Sequence, residues 1–186
     1  MTVQILRKKF TVGQYHQMIE SGILTDRDRV ELIQGDIIEM SPVGRRHAAC
    51  VDRLNELFVF KLVTKALIRV QSPIRLSDNS EPQPDVSILK RRDDFYEDGH
   101  PTPADIWALI EVSDSTIDFD REVNIPIYAQ DNISEVWLIN LNDLLIEHYR
   151  QPSSTGYQQL QIFNRGESLT FQSFPNIAIN VDQVFG

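Results

Sequence analysis

Two stretches of this sequence set a carboxylate against a strand-forming run. In Ser80-Glu81-Pro82-Gln83-Pro84-Asp85, two prolines hold the backbone extended up to Asp85, and the apolar residues Val86, Ile88 and Leu89 follow at once. About 26 residues later, Ala108-Leu109-Ile110-Glu111-Val112-Ser113 carries Glu111 inside a run that is otherwise apolar. If the two runs are neighbouring strands, their carboxylates converge and present hard oxygen ligands to Mg²⁺ or Mn²⁺. An ion held there can polarise a phosphodiester and lower the pKa of an attacking water. A plainer reading also fits: Asp85 ends a turn, and Glu111 is a strand residue paired with an arginine. Under either reading Glu111 needs a cation or hydrogen bonds, because an unpaired charge in an apolar strand is costly.

The elements that must position these groups follow from the hydrophobic pattern. Thr11 precedes an N-capped helix that ends near Gly22, and two short Val/Ile/Leu runs flank Gln34-Gly35-Asp36 as a hairpin, with Glu31 on its first strand and Glu39 on its second. From Arg46 to Lys65, Val51, Leu54, Phe58 and Leu62 recur three or four apart, which predicts a long helix with one buried face. Strands are predicted over 68–77 and 83–90, then a charged loop from Arg91 to Pro103, then a central strand over 105–114 covered on both faces. A helix interrupted by Pro126 comes next, with Arg121, Asn124 and Tyr128 about one turn apart. Four further strands complete the chain, the last being Ser168 to Phe174, with turns at Asn142-Asp143 and Arg165-Gly166. The sum is an α/β class domain, a mixed sheet carrying helices, and the length predicts one domain spanning 1–186.

Composition narrows the partners. With 18 basic and 27 acidic residues the net charge is −9, which argues against a broad DNA-coating surface but not against a small site where metal ions offset clustered carboxylates. The first ten residues lack the apolar stretch of a secretory signal, and the longest apolar run, 57–63, contains Lys61; the expectation is a cytoplasmic protein with no membrane span. A single cysteine, Cys50, falls in the long helical pattern and reads as a packed thiol. Trp107 and Trp137 sit among aliphatic residues and read as core, and Lys90-Arg91-Arg92 is balanced by its own acidic neighbours, though it could contact a nucleic-acid backbone.

Taken in order, Val30 to Pro42, then His47, Pro82 to Leu89, Ala108 to Thr116, Asp120 to Ala129 and Ile133 to Leu141 resemble the Uma2 family (DUF820) of restriction-endonuclease-like proteins, abundant in cyanobacteria and part of the PD-(D/E)XK nuclease superfamily. The resemblance covers about residues 9 to 185. It implies a four-stranded mixed core sheet flanked by helices, elaborated here by extra strands, and a metal-dependent endonuclease acting on nucleic acid, DNA first. It also implies Asp85 and Glu111 as metal ligands, with the Val112 backbone carbonyl as a further ligand. By the same resemblance Glu31 lies on the approach to the metal, and His47 faces phosphate or water, its alternative being a polar residue at a helix start. Nucleases of this superfamily that cut both strands often pair, so a homodimer is a further expectation.

The chain departs from that pattern at the lysine, which stabilises charge on the scissile phosphate. Position 113 is serine, and Asn124 stands where a lysine of the following helix is expected; asparagine can hydrogen-bond but carries no charge. Arg121 could substitute as a phosphate clamp, or form a surface salt bridge. Two functions therefore compete: an active nuclease, and a catalytically weakened relative that keeps the fold as a binding or interaction module. An unrelated α/β domain without a metal site is the third.

Overall fold

The computed structural model describes residues 7–25 and 27–186. Thr11 caps the first helix, α1 (Val12–Glu20), in a reciprocal capping box with Gln14. Strands β1 (Val30–Ile33) and β2 (Asp36–Glu39) pair as the predicted antiparallel hairpin. Its turn needs positive φ at both Gln34 (48°) and Gly35 (79°). A Cβ at Gly35 would lie 2.8 Å from the Lys9 Cβ and 3.0 Å from the Phe10 carbonyl, so glycine is required by contact as well as by φ. The long helix α2 (Arg45–Lys61) buries Cys50, Val51, Leu54 and Phe58, the stripe that the periodicity marks out.

The central sheet has six strands in the order β3-β4-β5-β6-β7-β8: β3 (Leu67–Val70), β4 (Val86–Leu89), β5 (Ile106–Ser113), β6 (Glu135–Asn140), β7 (Leu145–Ser153) and β8 (Gly156–Asn164). All neighbours are antiparallel except β5 and β6, making the sheet mixed. Ala108, Ile110 and Val112 face α2, and the opposite face of β5 carries Leu109, Glu111 and Ser113. β4 and β5 are adjacent, with Val86 opposite Ile110, so Asp85 and Glu111 stand together where the ladder ends.

Three expectations are corrected. The strand predicted over 68–77 stops at Val70, because Pro73 cannot donate to a ladder; residues 71–85 instead fold back loosely, with Ile74 N–H on the Pro82 carbonyl and Leu76 N–H on the Ser80 carbonyl. Pro126 does not break its helix. The segment runs as α3 (Ile117–Phe119), a π turn (Asp120–Asn124) and α4 (Ile125–Gln130), and the wider π turn just before Pro126 accommodates its missing N–H. The last predicted strand is two: β9 (Ser168–Phe171) turns at Gln172-Ser173 into β10 (Phe174–Asn180), followed by α5 (Val181–Phe185). This C-terminal hairpin packs on α2's side of the sheet, where Phe171 stacks on fully buried Trp137 with centroids 4.1 Å apart.

Candidate active site

The return limb of the 71–85 connection is a strap held from both sides. The Glu81 N–H donates to the Leu32 carbonyl, the Gln83 N–H to the Glu31 carboxylate (3.0 Å), and the Gln71 N–H to the Asp85 carbonyl. At its end Asp85 is fixed by three donors: the Val112 N–H at 2.8 Å, the His47 Nε2 at 3.0 Å and the Gln71 amide at 3.4 Å. The Asp85 N–H in turn donates to Glu111 at 3.3 Å, and Tyr128 donates its hydroxyl to the other Glu111 oxygen. N–H and C=O of one strand residue point to the same side, so the Val112 carbonyl leaves β5 on the Asp85 side, past the end of β4.

His47, Gln71, Asp85, Glu111 and Val112 line a cavity of about 390 Å³ whose wall also includes Glu31, Asp120 and Asn124. Glu111 is 6 % exposed and Asp120 6 %. Burial, then the charges of Asp85 and Asp120, hold the Glu111 carboxyl well above the usual carboxylate range. Burial pushes Glu31 up to about 7 and raises Asp120 as well. The Asp85 hydrogen bond raises His47, favouring its imidazolium. Among the described residues no lysine lines the cavity, and Arg29 and His47 are the basic side chains in its wall. Two buried polar atoms of the wall, His47 Nδ1 and Asn124 Oδ1, have no partner.

The structure thus brings Asp85, Glu111, Val112, Glu31, His47 and Asn124 to one cavity, and Arg121 not at all. Its guanidinium is bound to the buried Glu147 of β7, which also accepts from Tyr149. Asp120, Asn124 and Tyr128, four apart, share the buried face, while the wider π turn increases the angle between Arg121 and Asn124 and turns Arg121 outward. Asn124 donates to Asp120 (2.8 Å), and Ser113 and Thr116 donate to the same carboxylate. The basic cluster is occupied locally: Lys90 lies over Trp107, Arg91 reaches the Ala66 carbonyl at 3.5 Å, and Arg92 binds Asp94 and packs on Tyr96.

The profile of the Uma2 family, described as "Putative restriction endonuclease", matches residues 12–182. The chain belongs to the Uma2 family. A solved structure of a "putative nuclease belonging to DUF820" from Anabaena variabilis shares the fold at 16 % identity and a TM-score of 0.71, over 95 % of this chain and 97 % of that one. No curated protein matches.

Restriction-endonuclease-like families depend in general on divalent metals, and the donors of this Uma2 chain suit one. Two carboxylates and a carbonyl, with space for waters, are the hard partial coordination that Mg²⁺ accepts. Raised acids with no lysine beside them leave a cation to balance the charge. Sequence alone gives Asp120 and Tyr128 no role in the site. Asp120 reads as an acid in a helix's first turn and Tyr128 as a core aromatic; the signal available was the spacing of four between Asp120, Asn124 and Tyr128.

Proposed function

We propose that this chain is a divalent-metal-dependent endonuclease that hydrolyses phosphodiester bonds of DNA, with Mg²⁺ or Mn²⁺ held by Asp85, Glu111 and the Val112 carbonyl. The observation that carries the reading is the mutual fixing of Asp85 and Glu111 in a buried acidic cavity with no lysine. A divalent ion bound there supplies Lewis acidity toward the phosphodiester and a lowered water pKa. The chain's residues supply the rest. His47 and the Val112 N–H orient the Asp85 carboxylate, and the imidazolium that Asp85 favours places a positive charge in the cavity wall, beside where a phosphate would sit. Asn124 Oδ1 has no partner and can accept a hydrogen bond from a water, while the amide N–H donates to Asp120, whose carboxylate Ser113 holds in place. Glu31, raised to about 7, can take up a proton near neutral pH on the approach to the cavity. The protein acts in the cytoplasm, and as a homodimer it could cut both strands; exposed Leu160 and Ile162 on the edge strand β8 support an interface there.

Cleavage of supercoiled plasmid, single-stranded DNA and RNA in Mn²⁺ or Mg²⁺ tests the reading. Plasmid cutting that falls at least about 100-fold in Asp85→Asn is expected; cutting that survives in the variant, or a wild type that cuts none of the three, contradicts it. One observation favours the second reading, a catalytically weakened nuclease fold used for binding: the lysine positions hold Ser113 and Asn124, both tied to Asp120. On that reading the wild type binds metal without cutting, and Asn124→Lys creates cleavage.

A further inference from the structure

The strap carries a second carboxylate that the nuclease reading does not use. Glu81 is 4 % exposed, and its Oε2 has no hydrogen-bond partner. Its other oxygen meets His16 Nε2 of α1 at 2.7 Å. His100, from the 91–103 loop, brings its ring edge-on to His16, with centroids 6.3 Å apart at 76°. One ligand atom from each of the three lies within 4.8 Å of the others, and among the described residues this is the one group of three such side chains that converges so closely. None of the three lines the acidic cavity.

The geometry points to His16, Glu81 and His100 as a second cation site, selective for a zinc-class divalent transition metal. Two imidazoles and one carboxylate are the ligand set of open zinc sites, where a water or other group takes the fourth position. Imidazole suits Zn²⁺, Ni²⁺ and Cu²⁺, whereas Mg²⁺ and Mn²⁺ prefer all-oxygen surroundings; the two sites of this molecule therefore select different ions. Bonds of about 2.1 Å in a tetrahedral shell hold ligand atoms about 3.4 Å apart, so the present cluster needs only side-chain adjustment. The backbone around it is already fixed. Glu81 N–H is bonded to Leu32 on β1, Val12 N–H of α1 to the Asp78 carbonyl, and the Pro101 carbonyl beside His100 to Arg75 N–H. An ion here satisfies the orphaned Glu81 oxygen and clamps α1 and the 91–103 loop to the strap that ends at Asp85.

The test is Zn²⁺ calorimetry on the full chain, stripped by chelator and held in excess Mg²⁺, with Co²⁺ absorption as a coordination readout. One Zn²⁺ per chain is expected in the wild type and in Asp85→Asn/Glu111→Gln, with affinity falling about tenfold or more in both His100→Ala and Glu81→Gln. Co²⁺ should give the strong visible bands of a tetrahedral or five-coordinate site, lost in His100→Ala. His100→Ala touches a loop side chain, so its metal-free thermal midpoint should match the wild type and separates loss of a ligand from loss of fold. Absence of Zn²⁺ binding in the wild type, binding unchanged in His100→Ala, or binding lost in Asp85→Asn/Glu111→Gln would each overturn the assignment.

Discussion

At the scale of single residues, Glu111 is a carboxylate whose charged form the metal-free fold does not favour. It receives two hydrogen bonds, yet burial beside Asp85 and Asp120 still holds its carboxyl well above the ordinary range. Ionised, it destabilises the metal-free fold. Glu111→Gln keeps an acceptor for Tyr128 and removes the charge, so at pH 8 it should raise the metal-free stability, less the cost of turning an amide N–H towards the Asp85 N–H, while abolishing Mn²⁺ binding at the cavity; denaturant melts and calorimetry read the two effects. Glu31 makes the same argument in pH. Its carboxyl is pushed from 4.5 up to about 7, so between those values the folded chain keeps a proton that the unfolded chain has released. Stability should therefore fall as pH rises through that window and level off above it, and the fall should shrink in Glu31→Gln. Metal affinity should rise with pH as Glu111, whose carboxyl is held well above the ordinary range, gives up its proton. At this scale Asp85 and Glu111 were legible, since each is a charge placed against an apolar run. Asp120 and Tyr128 were not, because nothing local distinguishes them from a helix-start acid and a core aromatic.

At the scale of elements, what positions the site is the strap and the π turn. Pro82 and Pro84 are buried and extended, and backbone bonds on both sides hold the strap against β1 and the start of the 71–85 connection. Pro84→Gly leaves those bonds intact but frees the backbone beside Asp85. It should cost clearly more in metal-binding free energy than the roughly 1 kcal/mol it costs in metal-free stability; equal losses in both would show the proline serves the fold alone. The helices and the first hairpin were legible because period and turn chemistry are local: α2 repeats its apolar positions, and Gln34-Gly35 needs two left-handed residues. The connection 71–85 was misread because Ile74 and Leu76 alternate like a strand although Pro73 removes a ladder donor. The π turn was invisible, since no composition marks i→i+5 bonding, and it is what exchanges Asp120 for Arg121 on the buried face.

For the whole molecule, the charge of −9 and the acidic cavity make the cation the hinge of any contact with nucleic acid. The fold was legible at this scale because the blocks of a Uma2 chain occur together in order, although at 16 % identity the DUF820 structure from Anabaena variabilis carries the architecture alone. Among the described residues no helix is long and apolar enough to cross a membrane. Everything proposed for the cavity rests on whether Asp85 and Glu111 bind a hard divalent cation. The most direct measurement is a Mn²⁺ titration by calorimetry of the wild type against Asp85→Asn/Glu111→Gln, each with His100→Ala introduced so that the second cluster is silent. Saturable binding of Mn²⁺ that the double substitution at the cavity abolishes, in a protein that stays folded, is the predicted result; binding equal in both proteins, or none at millimolar Mn²⁺, would contradict it.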